Sequence, residues 1–89
     1  MKTKVLLLIL VLFSTFSFAQ SKVADKFFKN FAYVKATELY QEAVRKGNDS
    51  EHVLTRLGDC YYYNSKVEKA AQWYGKAVNK YPNIDPVYI

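Results

Sequence analysis

Apolar residues recur at helical spacing along most of the chain. Val23/Ala24, Phe27/Phe28 and Phe31 stand three or four residues apart, and so do Ala36, Leu39/Tyr40 and Ala43/Val44. A second pair of stripes follows, Val53/Leu54, Leu57/Gly58 and Tyr61, then Ala70, Trp73/Tyr74, Ala77/Val78 and Tyr81. The pattern predicts four helices and an all-α chain. Punctuation falls between the stripes. Gly47-Asn48-Asp49-Ser50 is suited to closing one helix and capping the next, with Glu51 in the new first turn. Ser65-Lys66-Val67-Glu68 reads as a capping box, in which Glu68 reaches back to the Ser65 amide. Pro82-Asn83 ends the fourth helix, and Asp85-Pro86 reads as the cap and first residue of a fifth. Connections this short set neighbouring helices antiparallel.

Residues 1–19 follow a different pattern. Lys2 and Lys4 precede an unbroken apolar run from Val5 to Phe13, and Ser17 and Ala19 supply small residues beyond it. A basic start, an apolar stretch and a small-residue cleavage site are the order of a secretory signal peptide, with the cut placed between Ala19 and Gln20. The apolar run is short of the about 20 residues that span a bilayer core. The competing reading is a leader that stays uncleaved as a membrane anchor.

The remainder repeats itself. At an offset of 34 residues, Asp25/Asp59, Asn30/Asn64, Lys35/Lys69, Ala36/Ala70, Tyr40/Tyr74, Ala43/Ala77, Val44/Val78, Lys46/Lys80 and Val53/Val87 are identical. Roughly two identities would arise by chance over that overlap at ordinary composition. One two-helix unit is therefore used twice, over 20–50 and 51–84, and residues 85–89 begin a third. The second unit reads Leu54-x2-Leu57-Gly58-x2-Tyr61, then Ala70-x3-Tyr74, Ala77 and Pro82. That pattern resembles the tetratricopeptide repeat, whose period is also 34 residues. The first unit is a degenerate version, with Ala24, Phe27, Ala36, Tyr40 and Ala43, but with Gln20 and Asn48 where a large apolar residue and a Pro belong. The resemblance implies an α-solenoid of antiparallel helix-turn-helix pairs, about two repeats plus the start of a third. A mid-helix glycine costs about 1 kcal/mol relative to alanine, so Gly58 implies close approach of a partner helix, with Ala70 and Tyr74 opposite.

Composition narrows the chemistry. The 89 residues carry a formal charge of +5, one Cys and one His. A disulfide framework, a multidomain enzyme and a Cys/His zinc site are excluded. Removing the leader takes Lys2 and Lys4, leaves 70 residues at +3, and scatters the remaining charge. Export and scattered charge together argue against a nucleic-acid partner. Cys60, mid-helix with no His nearby, reads as a buried inert thiol. Glu38 and Glu42, with Lys46 four residues on, read as a solvated ion-paired face rather than an acid/base pair. There is no phosphate-cradling glycine loop. No enzyme activity and no cofactor is expected.

In tetratricopeptide proteins the first helix of each pair lines a concave groove that takes peptides. The resemblance places His52, Thr55, Asp59, Tyr62 and Tyr63 on that face. Tyr61, Tyr62 and Tyr63 spread over about 200° of helix surface, so only Tyr61 fits the core. Tyr62 and Tyr63 either join a binding patch or pack against the neighbouring repeat, and His52 either joins the patch or is simply solvated. The Lys/Asn carboxylate clamp of some chaperone-binding members is not apparent, since Thr55 and Asp59 stand in its places. The leader, Phe31-Ala32-Tyr33-x2-Ala36-x2-Leu39-Tyr40 and Leu57-Gly58-Asp59-Cys60-Tyr61-Tyr62 together resemble the start of OmpA-like envelope proteins, in which such repeats precede a β-propeller-like region and a peptidoglycan-binding domain. The expectation is an exported protein-interaction module of a diderm cell envelope, stacked on further repeats, with no membrane span after leader cleavage. The alternative is a free-standing secreted helical protein that completes its core by homo-oligomerising.

Overall fold

A computed structural model describes residues 19–84. Residues 1–18 of the 1–19 leader, including Ser17 of its cleavage site, and the fifth-helix start at 85–89 lie outside the described residues. Four helices run in order: α1 over residues 19–29, α2 Tyr33–Arg45, α3 Glu51–Tyr63 and α4 Val67–Lys80. They form two antiparallel helix-turn-helix pairs, an all-α helical-repeat fold with no strand among the described residues.

The turns inside the two pairs are copies of one another, a period apart. The Phe31 amide donates to the Phe28 carbonyl at 3.0 Å and the Ala32 amide to the Phe27 carbonyl at 2.9 Å. Ser65 and Lys66 repeat this on Tyr62 and Tyr61 at 3.0 and 2.8 Å. This is the Schellman closure of a helix, which places its penultimate residue in the left-handed region. Phe31 and Ser65 both have φ of 63°. Two expectations are thereby corrected. Phe31 is not on the α1 stripe; it lies past the helix end and is 77% exposed. Ser65 is not the cap of α4, because it closes α3 instead. Lys66 holds the N-cap position with no side-chain hydrogen bond, although Glu68 does stand in the first turn. Between the pairs the reading holds. Gly47, at φ 102°, closes α2, and Ser50 caps α3 by accepting from the Val53 amide at 3.3 Å.

Small residues set the spacing of the helices. Ala24, Ala36, Ala43, Ala70 and Ala77 are buried to within 1% of complete, and Tyr40, Leu57, Val53 and Cys60 fill the space between them. Val23, placed on the α1 stripe by spacing, is 44% exposed. Gly58 meets the ring of Tyr74, as its place in the stripe requires: a β-carbon there would lie 2.2 Å from Tyr74 Cε1. A smaller cluster of Leu54, Ala77 and Ile84, with Trp73, Val78 and Tyr81 against it, closes the far end.

Candidate functional site

The first helices of the two pairs, α1 and α3, each carry an aspartate tied to the second helix of its own pair. The Tyr40 hydroxyl donates to Asp25 Oδ1, and the Tyr74 hydroxyl donates to Asp59 Oδ1 at 2.5 Å. Both members of each pair recur at the 34-residue offset, so the repeat copies an interaction and not only a shape. Burial and then the Asp25 carboxylate push the Tyr40 phenol well above its ordinary ionisation range. Each aspartate has a further partner on α3: His52 Nε2 lies 2.8 Å from Asp25 Oδ1, and Arg56 Nη1 donates to Asp59 Oδ2 at 3.0 Å. The Arg56 guanidinium also sits 4.7 Å over the Phe28 ring of α1. The His52 and Arg56 contacts couple the first repeat to the second.

Against this frame the five candidate residues divide. His52, Tyr62 and Tyr63 reach solvent. Thr55 is buried, and its hydroxyl donates within its own helix, to the Glu51 carbonyl at 2.8 Å and the His52 carbonyl at 3.1 Å. Asp59 is half-buried and bound on both oxygens. Tyr63 packs against the first repeat, its ring stacking on Tyr33 at 5.0 Å and approaching Phe28 at 6.4 Å, and it stays 57% exposed. Tyr62 is equally exposed and stands edge-on to Tyr63 at 5.7 Å.

Tyr33 and Phe31 complete a run of five rings that spacing on α3 alone does not reveal. Phe31 meets Tyr33 edge-on at 6.3 Å, and Tyr33 meets Phe28 at 5.4 Å. The run crosses the first intra-pair turn and ends at the last residues of α3, where the second turn begins. The signal for it is the Asn30/Asn64 identity, which marks the two turns as equivalent and so as neighbours along one edge of the stack. On another face, Glu38, Gln41, Glu42, Val44, Arg45 and Trp73 line a shallow hollow between α2 and α4.

Other polar and ionisable groups make contacts within the fold. Cys60 is buried, and desolvation pushes its thiol up to about 11. Glu42 pairs with Arg45 and lies 3.9 Å from Lys46, and Lys35 lies 3.5 Å from Glu38, which makes α2 the ion-paired face its charges suggest. Asp49 accepts from Lys80 at 2.5 Å, and that bond holds its carboxyl below the usual carboxylate range. Among the described residues, no group of three His, Cys, Asp or Glu could hold a metal. No described helix is long and apolar enough to cross a membrane.

Residues 52–84 match the family model described as tetratricopeptide repeat. The matched stretch is α3, α4 and the segment after them, the unit whose residues fit the pattern better. No curated protein matches the chain.

Proposed function

We propose that the chain is a protein–protein interaction module, exported and working in a bacterial cell envelope as part of an OmpA-like outer-membrane-associated protein. The observation that carries the interaction reading is the pairing of the repeat match with exposed His52, Tyr62 and Tyr63 on a first helix. Stacked repeats of this kind present extended surfaces to partners. An aromatic and polar patch on a rigid helix suits protein recognition, because little side-chain freedom is lost on binding. Two polar groups near this face are already committed: both Asp59 oxygens are held by Tyr74 and Arg56, and burial keeps the Cys60 thiol protonated. Export is supported by the order of charge, apolar run and small residues in 1–19, and the envelope setting by the two longer motifs.

Photo-crosslinking tests the interaction. The photoreactive p-benzoylphenylalanine is placed at His52 or Tyr62 in producing cells, and the expected result is discrete light-dependent protein adducts. Bands no different from the unirradiated control overturn the reading. Export is checked by the mass of the protein recovered from fractionated cells. A chain starting at Gln20 outside the cytoplasm supports it, and a retained Met1 in the cytoplasm sinks it.

A further inference from the structure

Phe31 is placed against local preference. Its backbone sits at φ 63°, a region in which glycine is favoured and bulky side chains are rare. Its ring is 77% exposed, and its ring contact within the molecule is an edge-on approach to Tyr33. Internal packing therefore does not account for a phenylalanine there. The Schellman closure explains the left-handed backbone, as it does at Ser65, but not the choice of a large apolar ring for that position. The ring also extends an apolar strip along the turn edge, with Tyr62 and Tyr63 at 57%, Val34 at 59% and Val67 at 62% exposure.

The lysines at this edge, Lys29, Lys35, Lys66 and Lys69, outnumber its carboxylates, Glu38 beside Phe31 and Glu68 beside Val67. Lys29 and Lys66 stand at the two turns, and neither has a carboxylate within ion-pairing distance among the described residues. α2 starts at this edge with no side-chain cap and no acidic residue in its first turn, so its amide donors add to the positive potential. We infer that this edge, anchored by Phe31, docks an acidic peptide segment that carries an apolar side chain. The inference rests on the interaction-module reading and names the partner class. A second copy of the chain fits poorly, because a two-fold contact would bring the same ammonium groups together. Single-stranded nucleic acid fits less well than peptide, since Val34 and Val67 offer no stacking face.

Fluorescence anisotropy on the full chain tests this with four labelled probes of about ten units. These are a peptide alternating Glu and Phe, the same with Lys for Glu, the same with Ser for Phe, and oligo-dT. Only the first is expected to bind, more weakly as salt rises. Phe31→Gly is expected to weaken it about tenfold while raising Tm, which separates recognition from folding. Lys29→Glu with Lys66→Glu is expected to weaken it comparably, and Gly75→Ala, whose added methyl group meets nothing within 4 Å, to leave it unchanged. Unchanged affinity in Phe31→Gly, an equal loss in Gly75→Ala, or equal binding of the Lys peptide or oligo-dT overturns the inference. No peptide binding, alongside adducts from His52 or Tyr62, overturns it and leaves the interaction module standing; absence of both removes both.

Discussion

Two glycines in nearly identical helical settings show how one neighbour decides the effect of a methyl group. Gly58 and Gly75 both lie inside helices, where alanine is favoured by about 1 kcal/mol. A β-carbon on Gly75 meets nothing within 4 Å, whereas one on Gly58 lands on the Tyr74 ring. That ring has little freedom to move, because its hydroxyl is fixed on Asp59. Gly75→Ala is therefore expected to stabilise the fold by about 1 kcal/mol. Gly58→Ala and Gly58→Leu are expected to destabilise it by about 1–3 kcal/mol through overpacking. Urea midpoints of the variants check both signs, and an unchanged midpoint for Gly58→Leu refutes the contact. Residue-scale electrostatics add a pH dependence. The Cys60 thiol moves from 9.0 to about 11 on folding. Between those values the unfolded chain has released the proton that the folded chain retains, so stability falls as pH rises through that window. Tyr40 is shifted in the same direction and adds to the loss. Denaturation midpoints measured from pH 8 upward are expected to decline above 9, with a shallower decline in Cys60→Ala.

The same turn used twice, with different residues in it, explains what the helices reveal about themselves and what they conceal. Helix existence and pairing are legible because the apolar periodicity of α2, α3 and α4 is regular and the residues between them are good stop signals. Gly47 and Ser50 announce a closure and a cap, and they perform them. The intra-pair turns are not legible, because the left-handed residue there is Phe31 in one copy and Ser65 in the other. Without a glycine the Schellman closure has no sequence marker, and Ser65 followed by Glu68 imitates a capping box. Ser65 closes one helix and so does not cap the next, where Lys66 takes the N-cap position with no side-chain hydrogen bond. Substitution separates the two roles. Ser65→Gly is expected to stabilise the fold by about 0.5–1 kcal/mol by relieving the left-handed backbone, where loss of a true cap would destabilise it. Ser50→Ala is expected to destabilise it by about 1 kcal/mol through loss of the bond to the Val53 amide. Opposite shifts in Tm for the two serines are the check.

At the scale of the whole molecule the question is what makes two helix pairs one unit. Stacked repeats are held by nearest-neighbour interfaces, so the contacts between α1 and α3 set their coupling. The candidate face belongs to the same seam, which is why it was only partly legible. The angular spread of Tyr61, Tyr62 and Tyr63 follows from helix geometry alone, and their exposures agree with it. The inward hold on Thr55 and Asp59 depends on Tyr74 fifteen residues away and on helix carbonyls, which spacing on one face does not encode. Arg56 is the residue through which seam and face meet, with its guanidinium over Phe28 of the first repeat and its Nη1 on Asp59 of the second. A single Arg56→Ala substitution therefore mixes two effects, the lost stacking and the lost ion pair. A double-mutant cycle with Phe28→Leu separates them, because the Asp59 contribution is the same in both Phe28 backgrounds and cancels. The expected coupling is about 0.5–1 kcal/mol, the size of an accessible cation–π contact. Strict additivity in urea unfolding would show that Arg56 acts on Asp59 alone, and that the seam between the repeats is held by His52 with Asp25 and by Tyr63 with Tyr33.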